Sequence, residues 1–413
     1  MEMRVGWKQT EVGIIPEDWD CVALGSIGDF TKGKGISRAD SSSGAIPCVR
    51  YGELYTHHTE IIRSFNSYIS QEVAKSSKRL RKGDLLFAGS GETKEDIGKC
   101  AAFIGDEEAY AGGDVIIFSP YDACSAFLGY LLNFPVVVRQ KASKGQGDAI
   151  VHVSTASLSA ILIPLPPTVM EQRAIAEALS DVDALIDSLD KLIAKKRDIK
   201  QGAMQELLTG KKRLPGFSGE WVRNLLGDLA EIISGATPRT TEPAFWDGPI
   251  NWCTPTDITS CKGKYLVETE RTISELGLAS CNTSVLPVGS LLLCSRATIG
   301  EIRIAGCEVC TNQGFRSLIC KEGVSNEFLY YRLSMMKPQM VERAIGSTFL
   351  EISKKDTAGL EILIPEYAEQ AAIAEVLSDM DAEILALEQR RDKTVALKQG
   401  MMQELLTGRT RLV

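Results

Sequence analysis

EQRAIAEALSDVDALIDSLDKLIAKKRDIKQGAMQELLTGKKRL runs from Glu171 to Leu214, and EQAAIAEVLSDMDAEILALEQRRDKTVALKQGMMQELLTGRTRL runs from Glu369 to Leu412. The two align without a gap at an offset of 198 residues, with well over half their positions identical. A repeat that long is not a solenoid unit, which recurs every few tens of residues. It divides the chain into two large, equivalent halves, each closed by a long helix. Thr168 with Glu171, after Pro166 and Pro167, has the spacing of a capping box. Ile175, Leu179, Val182, Ile186, Leu189 and Ile193 then step 4-3-4-3-4, a coiled-coil seam. Ile373, Leu377, Met380, Ile384 and Leu387 form the matching set, and Gly210 and Gly408 stand where the helices should stop. So narrow an apolar stripe needs a partner helix, and the other copy is the natural one. Both helices are acidic in their first half and basic in their second. Antiparallel pairing therefore sets acid against base, where parallel pairing would set acid against acid.

Similarity fades upstream of the helices without vanishing. DWDCVALGSIGDFTKGKGI near Trp19 parallels EWVRNLLGDLAEIISGATP near Trp221, and residues 80–103 parallel 286–306. Short apolar runs such as DLLFAGS, DVIIFSP, SLLLCSR and RSLIC read as strands. SAFLGYLLN (125–133) and NEFLYYRLSMM (326–336) read as short helices. The expected fold is α/β: two mixed α/β domains, 1–167 and 210–365, joined by long helices at 168–209 and 366–408 that form an antiparallel coiled coil in a pseudo-twofold ring. TEVGIIPEDW (10–19) fills the place before the first domain that 208–221 fills before the second. The two ends of the chain should therefore meet near the first domain.

The 413 residues carry a formal net charge of −8, with 44% hydrophobic and 24% charged residues, the profile of a globular protein with real cores. No apolar run is long enough for a transmembrane helix and MEMRVGWKQTEVG lacks a signal-peptide core, so a cytoplasmic protein with reduced thiols is expected. Much of the acid lies on the repeated helices, while KGKGISR (32–38) and KSSKRLRK (75–82) are locally basic. Catalytic motifs are missing. CEVC (307–310) is half a zinc site, GSGETKEDIGKC lacks phosphate-loop spacing, and NFPV is not the NPPY-type motif of amino-methyltransferases. His57, His58 and His152 suggest no catalytic cluster.

The duplicated EQRAIAEAL and EQAAIAEVL openings, each after ILIP, together with the repeated MQELLTG and the opening GIIPEDW, resemble the specificity (S) subunit of Type I restriction–modification systems. The resemblance covers nearly the whole chain. It implies a non-catalytic, sequence-specific DNA-binding subunit whose two variable domains are target recognition domains. Each would read one half of a bipartite, asymmetric site, while the helices fix the spacing and dock two methyltransferase (modification) subunits. The resemblance also implies that this chain holds no cofactor. S-adenosylmethionine, ATP and magnesium then belong to partner subunits, and whether restriction/translocase subunits join is left open. No membrane partner is implied.

Base and phosphate contacts need Arg, Lys, Asn, Gln, Ser or Thr on exposed elements. In the first domain the candidates are Thr31, Lys32, Lys34, Ser37 and Arg38, then Ser90, Thr93 and Lys94, then Lys144 and Gln146. In the second they are Thr237, Arg239, Thr240 and Thr241, then Ser295, Arg296 and Thr298, then Ser347 and Thr348. No catalytic or metal-binding residue is expected. The competing readings are a scaffold recruiting proteins through two adaptor domains, and a DNA-modifying enzyme with its own methyltransferase. The paired polar-basic loops favour DNA over the first, and the missing motifs argue against the second.

Overall fold

A computed structural model describes residues 6–147, 150–346 and 350–412. The chain forms two compact units. Unit 1 comprises 1–188 with 391–413, and unit 2 comprises 189–390. The boundary between them cuts through both long helices, so each unit contains half of each.

Unit 1 is built on a four-stranded sheet in the order Cys100–Ala102, Leu85–Ala88, Val115–Pro120, Gly28–Lys32, all antiparallel. Leu85–Ala88 and the first four residues of Val115–Pro120 are unbroken apolar runs because both of their faces are covered, while the edge strand Gly28–Lys32 is largely exposed. Leu85, Phe87, Ile116 and Phe118 point into a large core with Trp19, Phe127 and Tyr130. Their alternating neighbours Leu86, Ala88, Val115 and Ile117 point into a second core with Val49, Leu54 and Phe103. The expected short helix is Ser125–Leu131. Unit 2 repeats the plan with a five-stranded sheet containing Ala230–Ile233, Ser317–Cys320, Leu291–Leu293, Ile302–Ala305 and Tyr265–Leu266 in that order. Here Leu291 and Leu293 face one core and Leu292 and Cys294 the other. Its short helix is Asn326–Ser334.

The long helices run Val169–Leu207 and Tyr367–Leu405, 39 residues each or about 58 Å. Both end at glycines in the left-handed region, Gly210 (φ +71°) and Gly408 (φ +70°). A Cβ at Gly408 would also stand 2.5 Å from Pro16 Cγ, so the close approach of the N-terminal segment demands glycine there. The cap at the start differs from expectation. Thr168 Oγ1 accepts from the Glu171 N–H (3.2 Å), but the Glu171 carboxylate is engaged by Arg411.

Within each unit the two helix halves run antiparallel. In unit 2 Lys196 pairs with Glu383 (2.6 Å), Arg197 with Glu388 (2.6 Å) and Lys200 with Asp381 (2.5 Å); in unit 1 Lys398 pairs with Asp183 (2.7 Å). The register corrects the expected seam. Ile175 and Leu179 do not pack on the Ile373–Leu387 set. They share a core with Leu405, Leu406, Met401 and Met402. Ile373, Leu377 and Met380 share one with Met204, Leu207 and Leu208. Each opening therefore packs on the closing MQELL of the opposite helix, a segment the heptad count had left out. Leu189, Ile193 and Ile384 are buried, while Val182, Ile186 and Leu387 are half-buried. In unit 1 the segment after the second long helix lies against the segment before the sheet, where Arg411 holds Asp18 (2.9 Å).

Candidate nucleic-acid interface

Three loops leave the same end of the sheet in unit 1. Beyond Lys32, which lies opposite Ile116, Gly33 N–H donates to Val115 O (2.8 Å) and Lys34 N–H to Ala111 O (3.2 Å). A Cβ at Gly33 would stand 2.1 Å from Gly112 O, so this crossing requires glycine. Thr31, Lys32, Lys34, Ser37 and Arg38 are all exposed. The Ser37 hydroxyl is already committed to Asp40 (2.6 Å). The second loop starts where Gly89 N–H donates to Asp114 O (2.7 Å), and it exposes Thr93 and Lys94. Thr93 bonds Asp96 across its base (2.9 Å). The third is tied to the second: Val151 and His152 pair with Gly91 and Ser90, and His152 exchanges backbone bonds with Gln146 (2.9 and 2.8 Å). Gln146 is exposed, and Lys144 is half-buried at the end of the helix Pro135–Lys144.

Unit 2 builds the same convergence with other side chains. Ala236 N–H donates to Thr311 O (3.0 Å), matching the Lys34 bond, and Gly235 makes the equivalent close crossing against Thr311 O. Ser295 N–H donates to Gly314 O (2.7 Å), Arg296 bridges Glu351, and Glu351 exchanges bonds with Ile345 (3.0 and 3.1 Å) as His152 does with Gln146. Thr237 is half-buried and donates to Gln313 Oε1 (2.6 Å), while Arg239, Thr240 and Thr241 are exposed. Arg296 and Thr298 are half-buried. Ser347 and Thr348 lie outside the described residues.

Two candidates are corrected. Ser90 is 4% exposed and Ser295 is fully buried. Ser90 lies in the short strand Ser90–Gly91 paired with Val151–His152, and Ser295 N–H still bonds Gly314 O, so both side chains stay inside; the Ser90 hydroxyl meets His152 Nδ1 (2.9 Å). Sequence reading also missed the groups that hold the loops in place. Trp252 Nε1–H donates to Ala236 O (3.1 Å) and Trp246 Nε1–H to Arg239 O (3.2 Å), pinning the loop that carries Arg239. The Arg271 guanidinium stacks 3.6 Å from the Trp246 ring centre. No sequence signal links those tryptophans to that loop.

A second set of missed residues could have been found from the offset of 198. Arg411 makes a bidentate bond to Glu171 and lies 5.8 Å from the Trp19 ring centre. Arg213 does the same to Glu369 (2.5 Å for both bonds), 5.8 Å from the Trp221 ring. Tyr130 donates to Asp183 (2.6 Å) beside Lys398, and Tyr331 donates to Asp381 (2.7 Å) beside Lys200. Burial, then the carboxylate, raises both phenols' pKa. Gln172 accepts from Cys124 N–H and Gln370 from Ser325 N–H, both at 2.8 Å. The repeated Glu-Gln, Asp, Lys and Arg thus bind each sheet domain to both helices. Cys307 and Cys310 are free thiols whose pKa is raised by burial, Cys310 to about 11. Among the described residues no helix is long and apolar enough to cross a membrane.

Two copies of one framework, each presenting a different set of polar loops, define a protein with two readers of the same kind. The family model of the Type I restriction modification DNA specificity domain matches the chain twice, over residues 16–196 and 218–397. The chain belongs to that family. It is 26% identical over 442 residues to the putative type I restriction enzyme MjaX specificity subunit of Methanocaldococcus jannaschii, covering 98% of this chain and 97% of that one. It is 38% identical over 164 residues to the MjaIX specificity subunit of the same organism, covering 39% of this chain and 38% of that one. In fold it is similar to the S subunit of a Type I restriction–modification system from M. genitalium, with a TM-score of 0.63, 14% identity and 98% of each chain covered. A chain solved in a study of type I system assembly and conformational transition gives a TM-score of 0.58 at 21% identity, covering 95% of this chain and 99% of that one.

Proposed function

We propose that this chain is the specificity subunit of a Type I restriction–modification complex, and that each unit reads one half of a split, asymmetric duplex site. The observation that carries this reading is the loop convergence. Corresponding backbone bonds gather corresponding loops at the same end of each sheet, while the exposed side chains differ: Lys32, Lys34, Arg38 and Lys94 in one unit, Arg239, Thr240 and Thr241 in the other. A shared frame supplies position and unlike side chains supply unlike base preferences. Half-sites one helical turn apart are about 34–36 Å from centre to centre, a span within the length of either long helix. The repeated helix surfaces suit the docking of two copies of one methyltransferase subunit. S-adenosylmethionine chemistry, and any ATP- and magnesium-dependent cleavage by restriction/translocase subunits, would then reside in the partners, and this chain would contribute recognition alone.

Methylome sequencing of cells carrying this chain with its methyltransferase tests the reading. It should reveal one bipartite motif with a fixed spacer. A contiguous motif, or methylation by the chain without a partner, would refute it.

A further inference from the structure

The two units build the same loop base but close it differently from beneath. In unit 1 residues 89–97 leave Ala88 and return at Gly98, whose N–H donates to Ala88 O (3.1 Å). In unit 2 residues 295–299 leave Cys294 and return at Gly300, whose N–H donates to Cys294 O (3.0 Å). The first loop is therefore the longer, and its residues 92–96 are all exposed. A longer exposed loop has more conformational freedom to lose and needs a further tether.

Lys141 supplies one. It sits on the helix Pro135–Lys144, is 1% exposed, and its Nζ donates to Gly98 O at 2.6 Å. Gly98 holds φ +70°, and a Cβ there would stand 3.1 Å from Lys141 Cδ, so the lysine stem lies directly against the loop's return. Counted back from the paired residues Gln146/His152 and Ile345/Glu351, the matching position in unit 2 is Met340, also fully buried. Methionine fills that space without a hydrogen bond. An interior ammonium paired with a carbonyl alone is a costly way to fill a core. Packing alone therefore does not explain the lysine, and the bond to Gly98 does.

We infer that Lys141 is a positioning residue that fixes the 92–96 loop through Gly98 and so sharpens base discrimination by unit 1; unit 2 instead lays the partly exposed Lys337 against Gly300, with its Nζ on Glu301 (2.7 Å) rather than on the loop's backbone. The inference rests on these loops being the DNA-reading surface.

The test is Lys141→Met, which copies unit 2, in the chain assembled with its methyltransferase. Amide exchange over 89–98 should speed up about tenfold while 295–299 is unchanged, the scale of one charge-assisted hydrogen bond. Discrimination at one half-site should fall by a similar factor, with the other half-site intact. The melting temperature should hold within a few degrees, because an apolar replacement of a buried ion is close to neutral; a purely structural residue would lower it. The wild type gives an independent readout. Burial pushes Lys141 down to about 8, with the Cys100 thiol opposing and the Lys99 ammonium adding. Raising the pH from 7 to 9 should discharge it and loosen 89–98, a step that Lys141→Met lacks. Unchanged exchange in the variant, or equal losses at both half-sites, would overturn the inference. A wild-type complex that discriminates no split site would instead overturn the reading of the loops as DNA-binding.

Discussion

Arg213→Met should cost unit 2 about 2–4 kcal/mol. The Glu369 carboxylate is fully buried and takes two bonds from Arg213 at 2.5 Å and a third from Trp221 Nε1 at 3.2 Å. Removing one partner of a buried pair typically costs about 3–5 kcal/mol, because the remaining charge is left uncompensated. Two features lower that figure here. The Arg213 side chain is 26% exposed, so water already screens part of the attraction, and Trp221 still donates after the change. For a unit of this size the expected loss of melting temperature is roughly 5–15 °C. A double-mutant cycle with Glu369→Gln isolates the pair. Gln is neutral and can still accept from Trp221, so the double variant should regain at least half of the loss. Unfolding by urea, with calorimetry as a second probe, measures both. A loss below about 1 kcal/mol in Arg213→Met, or additive single effects in the cycle, would refute the claim that this clamp holds the sheet domain on its helices.

The remaining predictions concern pH, recognition and spacing. Burial pushes His58 down to about 4, helped by His57 and opposed by Glu53. Unfolded histidine titrates near 6.5, so between those values the unfolded chain binds more protons and stability falls as pH drops from 6.5 towards 4, by up to about 3 kcal/mol. His58→Gln should flatten that slope in a melting series; an unchanged slope would place its origin in other groups. Arg296→Ala should relax or abolish recognition of one half-site only, by about 1–3 kcal/mol if it reads a guanine, and equal loss at both halves in a methylome would count against a base contact. Four residues inserted after Thr209, just past the helix end at Leu207, add up to about 6 Å if helical and should lengthen the preferred spacer by about one to two base pairs. An unchanged spacer would sink the ruler role of the helices.

The two-unit plan was legible because the helix repeat aligns without a gap, and the central strands were legible because both their faces are buried, which writes apolar runs such as Leu85–Ala88 and Leu291–Leu293. The loops were legible by duplication: each lies where the two halves match in place and differ in chemistry. What was hidden depends on register and return. The seam spacing names residues that face inward but not what they face, so the Ile175–Ile193 set was matched as a whole with the Ile373–Leu387 set, whereas Ile175 shares a core with Leu405 and Leu406. Ser90 and Ser295 look like loop residues in the string, yet each still pairs its backbone and is buried. The tryptophans that pin the Arg239 loop lie on the strand Trp246–Cys253, where Asp247, Gly248 and Pro249 read as an irregular loop.

The pattern of identity within the chain also separates two kinds of energy. The ion pairs along the helix flanks, such as Arg197–Glu388 with a 63% exposed arginine, contribute about 0–1 kcal/mol each and chiefly favour one direction of pairing. The identical residues that make identical bonds are the buried or half-buried ones: Glu171 and Glu369, Gln172 and Gln370, Asp183 and Asp381, with the arginines and lysines that meet them. A buried carboxylate left without its cation is penalised far more than a surface charge, so drift at these sites is costly in either copy. The loops carry no such penalty, since their backbone bonds to Val115, Ala111 or Thr311 survive almost any change of exposed side chain. A frame intolerant of change beneath loops that tolerate it lets the specificity of one unit alter while the other unit and the shared helices stay as they are.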